Sequence, residues 1–247
     1  MHRFFLSPTQ IEGNQIIFPK DISRQIARVL RLEIKDQLIV LDNLGKEYLA
    51  QLVQVHPDLC RAAILDVKCP QEFSKVTVFQ FISLTQRDKF EWILQKGTEI
   101  GVSEFFPVIT SRTLVQSTDQ WGKKTERMER IIREAAEQSD SIQLPVLHTP
   151  LSYQDSLNYA TKISDISIIL WENENNQGMK EYLRGKRFSG IPASVAIFIG
   201  PEGGYSADEI DQAKSAGIQP VSIGRKILRM ETAAILAAGI VFYEMGD

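Results

Sequence analysis

From Val76 onward the chain repeats one alternation: a short, nearly all-apolar run, then a longer stretch whose apolar residues recur at helical spacing. Val76–Leu84, Phe105–Ile109, Val146–His148, Ile166–Trp171, Ser194–Ile199 and Pro220–Ile223 read as strands. Between the first two, Phe90, Ile93, Leu94, Gly97 and Ile100 share one helical face. Asp119–Ser139 reads as a long charged helix with Met128, Ile131, Ile132 and Ala135 on its apolar side, and further helices begin at Ser152 and run near Met179–Arg187. Ser206 followed by Glu209 is a capping-box spacing, and the helix it opens should stop at Gly217. A last, apolar helix covers roughly Thr232–Glu244. Strands that alternate with helices in this way predict an α/β domain built on a parallel sheet.

The first seventy residues follow another rhythm. Arg3–Leu6 and Gln15–Phe18 are short strand candidates, Gln37–Asp42 and Lys46–Val55 flank a turn at Asn43-Leu44-Gly45, and Cys60–Lys68 is a further strand. Pro19 opens one helix, along which Ile22, Ile26, Val29 and Leu30 recur at helical spacing. Several short strands with one helix predict a small β-barrel. Cys69–Ser74 breaks the pattern and reads as a linker, so the 247 residues divide into a small and a medium domain.

Composition narrows the function classes. Lys and Arg number 28 against 31 Asp and Glu, a net charge of −3, so nucleic acid would be held by a local basic patch and not by bulk charge. The apolar runs are far too short to cross a bilayer, and MHRFFLSPTQ lacks the pattern of a signal peptide, which predicts a soluble, cytoplasmic protein. Cys60 and Cys69 alone make neither a disulfide framework nor a four-ligand zinc site. His56 and His148 have no ligand partner in view, and His2 stands beside Arg3.

Ligands of open α/β sheets sit at the carboxyl ends of strands, and three strand ends here stand out. They are Leu170-Trp171-Glu172, Ile199-Gly200-Pro201-Glu202-Gly203-Gly204, and the stretch from Ile223-Gly224 to Arg229-Met230-Glu231-Thr232. No Gly-Lys-Ser/Thr follows the glycines, which disfavours a triphosphate loop, and no G-x-G-x-x-G follows a strand. Gly200–Gly204 is read equally as a ligand loop or as a tight turn before a helix. Glu231 and Thr232 are explained by the start of a helix, but Arg229 is not, because a cation is disfavoured there. Arg229 is therefore a candidate contact to an anion or substrate.

Ile199–Gly204 together with Ile223–Ala234 resembles the cofactor-binding end of the SPOUT superfamily, and more specifically the RsmE family of bacterial ribosomal RNA uridine-N3 methyltransferases. Met1–Phe5, Val29–Leu32, Asp88–Trp92, Gln95–Val102, Ser111-Arg112 and Glu134–Ser139 agree with that family in order. The resemblance implies a PUA-like β-barrel over residues 1–70 and a SPOUT α/β domain over 75–247, with a trefoil knot at roughly 166–247. It also implies a homodimer, S-adenosyl-L-methionine as cofactor and no metal. Carried over residue by residue, the cofactor site comprises Leu170, Trp171 and Glu172, then Ile199, Gly200, Pro201, Glu202 and Gly203. From the last strand end it takes Ile223, Gly224, Ile227, Leu228 and Arg229, with Thr232 and Ala233 beside them. A branched side chain at Gly200 is expected to intrude on the cofactor.

The implied reaction methylates N3 of a uridine in 16S ribosomal RNA of the small subunit, position 1498 in the family's substrate. N3 must lose its proton, and a cation near the uracil carbonyls would stabilise the resulting anion. Arg229 is the candidate cation, Arg112 its expected partner from the other subunit, and Glu202 the candidate proton acceptor. Arg3, Arg24, Arg28 and Arg31 are expected to form an RNA-binding stripe, the last three on one helix face, with Lys96 and Arg112 as further contacts. Lys123, Lys124, Arg127, Arg130 and Arg133 interleave with acids and read as a salt-bridged surface. One departure stands out: Ser141 occupies a position where the family usually carries arginine. The competing readings are a SPOUT methyltransferase acting on another RNA, a catalytically inactive RNA-binding assembly factor, and an unrelated α/β enzyme using a phosphorylated ligand.

Overall fold

Side chains along the first strands alternate between core and solvent, the signature of strands with one buried face. The computed structural model describes residues 1–69, 76–113, 121–185 and 193–246, with Lys123 described by its backbone alone. The linker beyond Cys69 lies outside the described residues, as do residues 119–120 and 186–187 of two expected helices. The chain forms two compact units, Met1–Glu72 with Ala136–Leu144, and Phe73–Ala135 with Pro145–Asp247.

The first unit contains β1 (His2–Phe5), β2 (Ile11–Glu12), β3 (Gln15–Ile17), α1 (Lys20–Arg24), β4 (Gln37–Leu41), β5 (Glu47–Gln54) and β6 (Arg61–Lys68). They form one six-stranded sheet in the order β1-β4-β5-β6-β3-β2, antiparallel except where β1 runs parallel to β4. On β5, Tyr48, Ala50 and Leu52 point inward while the residues between them face out. Phe4 on β1 meets Phe18, just after β3, edge to face at 6.1 Å, so side chains bring the two ends of the sheet together. The expected helix after Pro19 is shorter than its apolar spacing suggested. α1 gives way to a π turn over Gln25–Val29, and Arg31 follows with φ +53°. Ile26 is buried, but Val29 is 73% exposed. The wider π turn breaks the 3.6-residue register on which the spacing relied.

The second unit contains β7 (Val76–Ser83), α2 (Arg87–Glu99), β8 (Glu104–Ile109), α3 (Trp121–Gln138, whose last residues belong to the first unit), β9 (Val146–Leu147), β10 (Leu151–Ser152), α4 (Tyr153–Ile163) and β11 (Ile166–Leu170). It continues with α5 (Met179–Gly185), β12 (Ala193–Ile199), α6 (Ala207–Ser215), β13 (Gln219–Val221) and α7 (Met230–Met245). The strands pair in the order β10-β8-β7-β12-β11-β13, with β9 also on β8, and every pairing is parallel. Such a sheet needs apolar cover on both faces. One face packs Phe90, Ile93, Met128, Leu183 and Ala238 from α2, α3, α5 and α7, and the other packs Leu157 and Ile210 from α4 and α6. At the centre Phe81 is stacked between Phe106 (4.5 Å) and Phe198 (4.6 Å), a ladder of rings across β8, β7 and β12. α6 starts on the expected capping box: Ser206 N donates to Glu209 Oε2 at 2.8 Å and Glu209 N donates to Ser206 Oγ at 3.2 Å. It is followed by Gly217 at φ +87°, a left-handed conformation that glycine adopts without strain. No helix among the described residues is long and apolar enough to cross a membrane.

Candidate active site

Because β12, β11 and β13 are neighbours and parallel, their carboxyl ends open on the same edge of the sheet. The three strand-end loops therefore converge, and between them lies a cavity of about 590 Å³, in the range of small-ligand sites. Two loops are laced together below it: Ser222 N donates to Gln177 O at 3.0 Å, and Met179 N to Ser222 O at 2.9 Å.

Leu170, Trp171 and Glu172 line the cavity from β11, and Ile199, Gly200, Pro201, Glu202 and Gly203 from β12. Ile223, Gly224, Ile227, Leu228, Arg229 and Ala233 complete it from the third stretch, whereas Thr232 is exposed and not part of the lining. Arg229 is the N-cap residue of α7, exposed and with no carboxylate partner among the described residues. A positive group at a positive helix end is held there against the dipole, which leaves it seeking an anion. Gly200 differs from expectation in one respect. A Cβ there would meet the ring of buried Tyr205 at 3.1 Å, so a side chain strikes the protein before it reaches the cavity.

Glu202 is already engaged. The Thr85 hydroxyl donates to its Oε1, and Lys89 Nζ donates to the same oxygen at 3.0 Å. Burial raises the carboxyl's proton affinity, but the Thr85 hydroxyl, a backbone N–H and Lys89 together hold it below the ordinary glutamate range. A carboxylate so stabilised is a weak proton acceptor, and its geometry ties the Gly-rich loop to the start of α2. Lys89 and Tyr205 line the cavity too, although neither lies within the strand-end motifs, and so does Glu231, which the sequence explains by the start of a helix. The available signal for Lys89 was a cation in the first turn after a strand end.

Arg112 donates from Nη1 to the carbonyl of Gly203 at 2.7 Å. It thus braces the Gly-rich loop of its own chain. The expected RNA stripe is only partly present. Arg3 is 8% exposed and paired with Glu47 (3.0 Å) and Asp140 (3.5 Å), which takes its guanidinium out of the stripe. Arg24 and Arg28 are exposed, and Arg31 has left the helix, so the three do not share one helical face. Lys96 is held by Glu99 at 2.7 Å and does not line the cavity. On α3, Arg127 bridges to Glu91 at 2.7 Å, in keeping with a salt-bridged surface, while the Lys123 side chain lies outside the described residues. Ser141, at the departure from the family pattern, bonds to Ser139 at 2.9 Å. His148 stacks on Phe106 and pairs with Glu104 at 2.5 Å, and His56 sits beside Asp58. Both cysteines are free. Among the described residues no three His, Cys, Asp or Glu side chains are placed to hold a metal.

Residues 71–242 match the family model of an RNA methyltransferase domain, and residues 18–65 that of an RNA methyltransferase PUA domain. Parallel sheet, strand-end cavity and appended β unit therefore define an RNA methyltransferase of SPOUT type with a PUA-like domain. The ribosomal RNA small subunit methyltransferase E of Synechocystis sp. is 33% identical over 238 residues, spanning 96% of this chain and 75% of that protein. Its Bacillus subtilis counterpart is 30% identical, spanning 99% and 97%. The crystal structure of a ribosomal RNA small subunit methyltransferase E from Neisseria gonorrhoeae, bound to S-adenosyl methionine, superimposes with a TM-score of 0.87 at 28% identity, covering 100% of this chain and 99% of that one. The chain belongs to the ribosomal RNA small subunit methyltransferase E family.

Proposed function

We propose that this protein transfers a methyl group from S-adenosyl-L-methionine to N3 of a uridine in 16S ribosomal RNA, the position numbered 1498 in the family's substrate. The observation that carries the reading is the cavity at the three strand ends, with an unpaired Arg229 on its rim. Its residues suit the cofactor chemically. Leu170, Ile199, Ile223 and Leu228 offer apolar surface for an adenine, and the Trp171 Nε1 atom is buried without a partner, so the cavity has a polar donor still unmet. When bound, the cofactor supplies an electrophilic methyl group on a sulfonium.

The chain's own residues do the rest. Arg229 stabilises the negative charge that develops on the uracil oxygens as N3 loses its proton. Glu202, Thr85 and Lys89 fix one side of the Gly-rich loop and Arg112 the other, so the loop is organised before any ligand arrives. Exposed Arg24 and Arg28 meet RNA phosphates. A homodimer is favoured by α7, which is apolar around most of its circumference and leaves Leu236 43% and Tyr243 79% exposed. The cytoplasm, where ribosomal subunits are assembled, is the corresponding location.

The test is methyl transfer from labelled S-adenosylmethionine to small ribosomal subunits that lack the modification, followed by nucleoside analysis. 3-Methyluridine is the expected product. Another methylated nucleoside would overturn the target, and failure to bind the cofactor would favour an inactive assembly factor.

A further inference from the structure

Among the described residues three carboxylates line the cavity, Glu172, Glu202 and Glu231, and they differ in what they are free to do. Glu172 is exposed to water. Glu202 accepts from both Thr85 and Lys89. Glu231 is the second residue of α7, two positions after Arg229; it is half-buried on the cavity wall, and its Oε2 has no hydrogen-bond partner. Each donor that a carboxylate already accepts from stabilises its charge and makes it a poorer recipient of another proton. On that ground Glu231 is the carboxylate of the cavity still short of a hydrogen. The charged groups that line the cavity with it are Lys89 on α2, Glu172 after β11, Glu202 on the loop after β12, and Lys226 and Arg229 leading into its own helix. Lys89 is kept protonated above all by its hydrogen bond to Glu202, against the opposing effect of burial, with the charges of Glu202, Glu231 and Asp88 adding to it.

We propose that Glu231 is the catalytic residue that removes the N3 proton of the target uridine. The inference rests on the methyltransferase reading above. The N3–H bond breaks and its proton passes to the Glu231 carboxylate, while the electron pair left on N3 forms the new bond to the methyl carbon. The carbon–sulfur bond breaks with its pair staying on sulfur, and the proton then leaves Glu231 for water. Arg229 lies on the same turn of chain, where it offsets the charge on the uracil while the proton is in transit.

Glu231→Gln tests this, measured on the full-length protein for cofactor affinity by calorimetry and for 3-methyluridine formation across pH. The expected result is unchanged affinity for S-adenosylmethionine and turnover at neutral pH lower by about a hundredfold or more. That loss should shrink about tenfold per pH unit as hydroxide takes over the proton. RNA carrying 5-fluorouridine, whose N3 proton is more acidic, should rescue the variant far more than the wild type. Weakened cofactor affinity with full turnover at saturation, a loss that neither pH nor 5-fluorouridine relieves, or rescue of Glu202→Gln in place of Glu231→Gln would each overturn the assignment. Glu231→Ala, which leaves no unmet acceptor, must show the same rescue and provides the comparison should the glutamine variant fail to fold. A wild-type protein that makes no 3-methyluridine overturns the parent reading instead, and this inference with it.

Discussion

Gly200→Val would test how the cavity is built. Its ideal Cβ would lie 3.1 Å from both Cδ2 and Cε2 of Tyr205, against about 3.5–4.0 Å for relaxed carbon contacts. The Tyr205 ring is 3% exposed and lies 5.8 Å from the ring of Tyr153, so it has no solvent to swing into. Overpacking of this kind costs about 1–3 kcal/mol. If the fold absorbs it, the melting temperature drops by about 2–4 °C per kcal/mol for a chain of this size. If the Gly-rich loop shifts instead, the same ~1–3 kcal/mol appears as a loss of S-adenosylmethionine affinity of about 5- to 150-fold. Scanning calorimetry and titration calorimetry read the two outcomes separately. Tyr205→Leu in the same chain should relieve the collision, giving a favourable coupling of about 1 kcal/mol or more in a double-mutant cycle. Unchanged melting and affinity in Gly200→Val, or strictly additive effects in the pair, would refute the argument.

Arg229→Ala should lower turnover by about a hundred- to a thousandfold while cofactor affinity stays within a few-fold; an equal loss of affinity would move Arg229 into the cofactor's own binding set. Glu202 titrates below the ordinary glutamate range in the folded protein, so its ties contribute stability that is complete above the unfolded value and lost as pH falls through the depressed one. Melting temperature should thus fall more steeply for the wild type than for Glu202→Gln between about pH 5 and pH 3, and parallel curves would contradict this. Phe81→Ala removes a fully buried ring stacked on both sides, and a loss of about 3–5 kcal/mol in denaturant unfolding is expected. A loss below about 1 kcal/mol would mean the core closes around the gap.

Much of the cavity is legible in the sequence because its parts are local. An apolar strand followed by glycines, as at Ile199–Gly204, announces a strand end where backbone can approach a ligand. What escapes such reading is set by partners far along the chain. Lys89 and Glu202 are 113 residues apart, and nothing near either residue forecasts their ion pair. Arg3 looks like a terminal cation free for RNA until the fold delivers Glu47 and Asp140 to it. Arg24, Arg28 and Arg31 failed for another reason: helical spacing implies one face only while the helix keeps its pitch, and the π turn at Gln25–Val29 does not. Thr232 sits within the motif yet points outward, because α7 carries successive side chains about 100° apart.

β12 is placed in the middle of the parallel sheet, between β7 and β11, although it is next to last among the strands in chain order. Val195 is thereby paired with Val78, from the beginning of the same unit. A nascent chain that stops short of Ala193 has no central strand, no ring ladder through Phe198 and no place for the Gly-rich loop. Until β12 emerges, β7 and β11 wait with unpaired edges, a state that favours chaperone capture over ligand binding. Binding competence consequently arrives in a single late step, and a shortened chain is silent rather than partially active.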